Sequence, residues 1–335
     1  MSALILPATG DIDNLEYRDV VMPEPGEGEI RVNIKAAALN HRDIFICHAL
    51  YPGIKLPCIL GSDGAGIVDA LGKNVPENLL GQEVVLYPAS PWGSNHRAPE
   101  PDYRVLGMPE PGTFSEYVCV HHSLVVKKPS SFTWSEAAAL PLAGLTAWRS
   151  TVTKAKIEAG EKVLVTGAGG GVSSFAIRWA VKLGASVYVT SGSEEKVVTL
   201  LTEGIAGGVS YKNEDWAKQL KDISGGGVDV VIDSTGGKNF SKCFDAVNPG
   251  GRIVFYGATA GDPPTPISLP RWFFKQVSIH GTTMGTEAEF AAMVNFADVH
   301  KIKPRIDSEF ALSDGRAAFK KMAAGQQNGK IILIP

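Results

Sequence analysis

The chain is poor in the residues that would make several readings easy. Of 335 residues only four are cysteine (Cys47, Cys58, Cys119 and Cys243), they are scattered, and no two stand in a CxxC pair. That spacing argues against a disulfide framework and against a four-cysteine zinc site, and suits small buried apolar residues. There is no excess of either charge: 32 basic against 35 acidic residues leaves a net −3. Nucleic acid and an anionic membrane surface are therefore not expected partners. No apolar run approaches the roughly 18 residues that a membrane span requires. The opening "MSALILPATG" has no basic flank and only a short apolar stretch, unlike a secretory signal, so a cytoplasmic enzyme is expected.

What is present is ordinary globular composition, with 44% hydrophobic and 20% charged residues, at a length that favours two domains. The first ~125 residues read as short strands joined by turns. "EIRVNIKAAAL" alternates Ile30, Val32 and Ile34, the pattern of a half-buried strand; "GQEVVLYP" and "FSEYVCVHHSLVV" are similar. Between the last two lies "PASPWGSNHRAPEPDYRVLGMPEPG", with six prolines and no periodicity, which reads as a long loop or a lid over a substrate, Trp92 and Tyr103 lining it. His121 and His122, adjacent in a strand, should point to opposite faces and so form no ligand pair.

After Pro129 the pattern changes. "TWSEAAALP" opens with Thr133 and Glu136 at capping-box spacing and ends at Pro141, a helix breaker. From Glu161 apolar strands alternate with amphipathic helices, which implies a parallel sheet with helices on both faces, an α/β fold. Trp216, Leu220 and Ile223 should share one helix face. "QVSIHGTT" closes the series as an edge strand, and the tail returns through a helix capped by Thr286 and Glu289 to the strand "KIILIP".

Two glycine clusters stand out. "KVLVTGAGGGVSS" is strand, glycine turn and helix in one unit, where glycines let a phosphate approach the backbone and the helix start presents free N–H groups. A dinucleotide is the expected ligand. The next strand ends "VYVTSGSEEK": Ser191, Gly192 and Ser193 stand where an NAD site usually has its acid, with Lys196 following, a set that suits a 2′-phosphate and hence NADPH. The other cluster, "GSDGAGIV", could belong to a metal site or to a backbone turn.

Taken together, "ALNHRDIFICHALYPGIKLPCILGSDGAGIV", "AAALPLAGLTAW", "VLVTGAGGGVSS", "NPGGRIVFYG" and "NGKIILIP" resemble the medium-chain dehydrogenase/reductase superfamily over essentially the whole chain. The resemblance implies a Rossmann-type doubly wound domain (129–281) beside a GroES-like β-rich catalytic domain split between 1–128 and a return segment, 282–335, with cofactor and substrate in the cleft between. The zinc-dependent alcohol dehydrogenases of this superfamily hold their metal at positions that here carry Asn40, Ser62 and Leu142, a set poor in zinc donors, and the proline-rich loop has no cysteine for a structural zinc. A metal-free member is implied.

The match is closer to the quinone oxidoreductases, whose Leu-Asn-x-x-Asp and Tyr-Pro patterns are met by Leu39, Asn40, Asp43, Tyr51 and Pro52. It implies Asn40 and Thr146 beside the nicotinamide; Gly170, Gly171, Val172 and Ser173 at the pyrophosphate; Lys196 and Tyr211 at the 2′-phosphate; and Gly257 and Asn328 on the nicotinamide side. Ser173 departs from that family's final glycine of the turn, and His41 from its usual tyrosine. The expected activity is NADPH-dependent reduction of a small electrophilic acceptor, a quinone or an α,β-unsaturated carbonyl. Asn40 is the orienting donor, Tyr51 and His41 are candidate proton sources, and the protein is a homodimer. The alternatives are a zinc-type alcohol dehydrogenase with altered ligands and an NADPH-binding sensor without significant turnover.

Overall fold

A computed structural model of the chain describes residues 1–266 and 268–335. It divides into two compact units, one of Met1–Ala143 with Thr286–Pro335 and the other Gly144–Gly285. The segment 129–143, expected with the second unit, lies in the first, because its helix Trp134–Ala138 packs on the strands Glu29–Ala38 and Asp63–Leu71. The capping box anticipated there forms: Thr133 N–H donates to Glu136 Oε2 (2.8 Å) and Glu136 N–H to Thr133 Oγ1 (3.2 Å). Pro141 does not end a helix; it starts the next one, Pro141–Trp148, where a missing N–H costs nothing.

The first unit is built on a sheet around Glu29–Ala38, flanked by Lys330–Ile334, Asp63–Leu71 and Tyr117–His121. Its core is apolar and continuous, with Val32, Ile34, Val68, Phe114, Phe319 and Leu333 all buried. Two glycines of "GSDGAGIV" are explained by this packing. Gly61 has φ +98° and lies against Phe114, and a side chain on Gly66 would run into the Asn33 carbonyl of the neighbouring strand. The proline-rich loop is anchored rather than lid-like. Trp92 is buried, its Nε1–H donates to the Asn95 carbonyl (2.9 Å) and its ring meets Tyr103 edge-to-face at 5.2 Å. His121 ends its strand and His122 begins a 3-10 turn, so the rings stack at 4.7 Å instead of pointing apart.

The second unit holds a six-stranded, all-parallel sheet: Lys162–Val165, Ser186–Ser191, Gly207–Ser210, Val228–Asp233, Val247–Phe255 and Ser278–Gly281. In chain order these lie 3-2-1-4-5-6 across the sheet, the doubly wound arrangement. Ser278–Gly281 is the edge strand anticipated from the sequence. Trp216 and Leu220 are buried as expected, but Ile223 is half exposed, since its turn ends at Gly225 in the left-handed conformation.

Candidate functional site

The candidate residues fall into two sets, one in each unit. In the second unit the strand Lys162–Val165 runs into a glycine turn and the helix Gly171–Lys182. The first helical N–H groups, on Gly171, Val172 and Ser173, have no carbonyl one turn earlier to bond. The helix is held down by Phe175, Ile177 and Trp179, all fully buried, and Trp179 stacks on Phe175 at 5.4 Å. The Ser173 hydroxyl turns back into the loop, 2.6 Å from the Gly167 carbonyl and 2.9 Å from that of Gly170. It ties the turn together from inside.

The turn lies where the strand order reverses, between the strands Lys162–Val165 and Val228–Asp233. Asp233, fully buried there, accepts from the Thr166 hydroxyl (2.6 Å), the Thr235 hydroxyl (2.9 Å) and Gly236 N–H (2.9 Å). Its carboxylate is consumed in holding the loops. Gly257 lies against the Ser234 carbonyl; a side chain placed on it would come within 3.1 Å. Thr146 is buried, its hydroxyl 4.0 Å from Met284 Sδ, on a helix that continues as a π-helical turn over Arg149–Lys154.

At the tip of the strand Ser186–Ser191 three of the expected residues come together with the glycine turn. Ser191 Oγ accepts from Ser193 N–H (3.1 Å), and Ser193 caps the next helix by accepting from Lys196 N–H. Lys196 Nζ reaches over the glycine turn, 2.9 Å from where a Cβ on Gly169 would sit. The Tyr211 hydroxyl packs on Gly192, where any side chain would collide with it. No acid ends the strand; Glu194 and Glu195 sit exposed in the first turn of the following helix.

In the first unit the site is assembled by sheet register. The strand Lys330–Ile334 pairs antiparallel with Glu29–Ala38 through Ile332 and Ala38, and continuing that register sets Lys330 opposite Asn40. On the other side Ala38 pairs with Asp63. Asn40, Asp63 and Lys330 thus converge, all buried. Lys330 Nζ donates to Asn40 Oδ1 (2.7 Å) and Asp63 Oδ2 (2.9 Å); Asn40 Nδ2 donates to Asp63 Oδ2 (2.9 Å) and lies 3.4 Å from Ser62 Oγ. The other Asp63 oxygen accepts from Leu142 N–H (2.8 Å). Lys330 and Asp63 were not singled out from the sequence. The available signal was a lysine at the start of an apolar final strand, where alternation alone would have placed an ordinary surface residue.

Asn40 also starts the helix His41–Cys47, where its N–H donates to Asp43 Oδ2 (2.9 Å). Burial pushes the Asp43 carboxyl up to about 6, against the opposing pull of Arg42 and of that hydrogen bond. Arg42 donates to the Leu106 carbonyl (2.9 Å) and lies over the Tyr51 ring at 4.9 Å, so Tyr51 presents its face to a guanidinium. His41 is solvent-accessible at the helix start, yet enough protein flanks it to lower its pKa, with the Lys330 charge adding to the effect. Asn328 is exposed, and its N–H donates to Asp307 (2.7 Å). Among the described residues no group of three His, Cys, Asp or Glu side chains could hold a metal ion.

A doubly wound parallel unit with a glycine turn at its switch point, joined in one chain to a GroES-like β unit, defines a nucleotide-dependent dehydrogenase architecture. Family models agree: "Alcohol dehydrogenase GroES-like domain" matches residues 26–130 and "Zinc-binding dehydrogenase" residues 171–298. The chain is 37% identical to a zinc-type alcohol dehydrogenase-like protein, YogA, of Leptosphaeria maculans, covering 95% of this chain and 94% of the relative. It is 30% identical to a quinone oxidoreductase of Pseudomonas aeruginosa, covering 98% of each. A crystal structure of an NAD-dependent alcohol dehydrogenase superposes with a TM-score of 0.94 at 35% identity, covering 100% of both chains. The chain belongs to the medium-chain dehydrogenase/reductase superfamily of oxidoreductases.

Proposed function

We propose that this protein is an NADPH-dependent, metal-free reductase that transfers a hydride to an electrophilic acceptor such as a quinone or an α,β-unsaturated carbonyl. The observation that carries the reading is the buried ammonium of Lys330 between Asn40 and Asp63. It stands among the very positions that resemble the superfamily's zinc ligands. Asn40, Ser62 and Leu142 supply an amide, a hydroxyl and a hydrocarbon, and a divalent cation placed there would face a fixed positive charge. These residues do not fit a metal. Without a Lewis acid, acceptors that are already electron-poor are the favoured class.

For the dinucleotide the residues do fit. The N–H groups of Gly171, Val172 and Ser173 would hold the pyrophosphate, and Lys196 with Ser191 and Tyr211 the 2′-phosphate. Gly257 and Thr146 are assigned to the nicotinamide side. The bound cofactor supplies the hydride. Asn40 orients the acceptor and donates to the oxygen on which charge develops. With the His41 pKa lowered, that imidazole is neutral at pH 7, which makes solvent the better proton source and leaves Tyr51, under Arg42, as the second candidate.

The test is NADPH oxidation with a naphthoquinone and with a medium-chain alkenal, beside NADH and a chelator control. Chelator-resistant turnover with NADPH preferred supports the reading. Loss of activity on chelation would instead favour a zinc-type alcohol dehydrogenase, and tight NADPH binding without turnover a sensor.

We further propose a homodimer formed through the edge strand Ser278–Gly281. Leu269, Phe273 and Phe274, on the helix just before it, are exposed, an apolar surface that a second copy would cover. Ser278→Pro removes a ladder donor and should halve the mass seen by light scattering; an unchanged mass would refute the assignment.

A further inference from the structure

We infer that Lys330 is a positioning residue for the reaction: its buried ammonium, with Asp63, locks the Asn40 carboxamide in a single orientation and polarises it toward the acceptor. The inference rests on the metal-free reductase reading. A carboxamide has two ends of nearly equal shape, and in a neutral pocket it can flip. Here it cannot. Lys330 Nζ is a donor only and needs the oxygen end, Oδ1, at 2.7 Å, while ionised Asp63 is an acceptor only and needs the nitrogen end, Nδ2, at 2.9 Å. A flip would set ammonium against amide N–H and carboxylate against carbonyl.

Nδ2 carries two hydrogens. Asp63 takes one, and the other has only a long contact, 3.4 Å, to Ser62 Oγ. That second hydrogen is the one free to meet a stronger acceptor. A cation on the carbonyl of an amide draws electron density from its nitrogen and strengthens N–H as a donor. When hydride reaches the acceptor carbon, the electron pair of the reduced bond moves onto oxygen, and a proton from solvent completes the product. The polarised Nδ2–H stabilises that oxygen while it is charged. Lys330 is itself 3% exposed, so it acts through Asn40. A metal would bind the oxygen directly; here a buried lysine tunes a neutral donor instead.

Lys330→Met alone leaves Asp63 buried without its partner and invites misfolding, so the decisive variant is Lys330→Met with Asp63→Asn, which removes both charges. Its folding is checked by its melting curve and by retained NADPH binding. With NADPH and a naphthoquinone, kcat is expected to fall about 10- to 100-fold, while KM for NADPH stays within about twofold. In parallel, the side-chain amide resonance of wild-type Asn40, assigned by its loss in Asn40→Asp, is expected to lie outside the ordinary carboxamide range and to return to it in the double variant. A folded double variant with unchanged kcat would overturn the role of Lys330 while leaving the reductase reading intact. A wild-type enzyme that fails to turn over, or that dies on chelation, would overturn the reading itself and the inference with it.

Discussion

Lys330 and Asp63 form an ion pair at 2.9 Å with their side chains 4% and 0% exposed. Both charges have left water, and each depends on the other. Breaking the pair from one side should therefore cost far more than removing it whole. Lys330→Met is expected to destabilise by about 3–5 kcal/mol, and adding Asp63→Asn to recover most of that loss. Urea denaturation of the two variants beside the wild type measures it. Equal destabilisation by the single and double changes would mean that the carboxylate gains nothing from the lysine.

The cofactor assignment can be tested at Lys196 and Tyr211. Lys196 Nζ lies over the glycine turn and Tyr211 packs on Gly192 at the tip of the neighbouring strand, Ser186–Ser191. Charge-assisted hydrogen bonds to a phosphate contribute about 1.5–3 kcal/mol each. Lys196→Ala should then weaken NADPH binding about 10- to 100-fold and leave NADH within about threefold, while Tyr211→Phe has a smaller effect of the same sign. Fluorescence titration with both cofactors decides it. Parallel losses for NADPH and NADH would place Lys196 at the pyrophosphate instead.

Much of the second unit was legible because its signals are local. Periodicity gave the strand and helix series, and a strand, glycine turn and helix in immediate succession marked the switch point of the sheet. In the first unit the capping boxes at Thr133 and Thr286 are equally local, depending on contacts three residues apart, and both form. What the sequence hid is non-local. Lys330 meets Asn40 across 290 positions only because the strand after Gly329 pairs in one particular register with Glu29–Ala38. The glycines of "GSDGAGIV" answer to Phe114 and Asn33, which no spacing rule relates to them. Trp92 read as well for a lid as for an anchor, since an aromatic in a proline-rich stretch does not say which side of the loop it faces. The buried face of that loop is set by Glu287, whose Oε1 accepts from Trp92 N–H at 2.8 Å.

The anchored loop gives a third expectation. Trp92 is 1% exposed and carries both the Tyr103 ring contact and the bond to the Asn95 carbonyl. Trp92→Ala should cost about 3–5 kcal/mol if the cavity persists. It should also loosen the segment 93–104, so that trypsin, which already finds the Arg97 and Arg104 side chains exposed, meets a backbone flexible enough to cut. Limited proteolysis that cuts the variant no faster than the wild type would show that the prolines alone hold the loop.

Asp43 makes the last expectation a matter of pH. Burial raises its carboxyl from 3.8 to about 6 in the folded chain, while the unfolded chain titrates near the ordinary value. Between those two values the folded state holds more protons than the unfolded one. The contribution of this group to stability is therefore greatest below pH ~4 and declines as the pH rises through about 6. Once ionised at neutral pH, the buried carboxylate costs on the order of 3 kcal/mol relative to its protonated form. Asp43→Asn keeps an acceptor for the Asn40 N–H and cannot ionise. Relative to wild type it should gain about 2 kcal/mol of stability between pH 4.5 and about pH 6.5 and then level off to pH 8, as read from urea midpoints at each pH. A stability difference that stays flat across that range, or that moves in favour of the wild type as pH rises, would mean that Arg42 and the Asn40 N–H already hold Asp43 ionised well below pH 6.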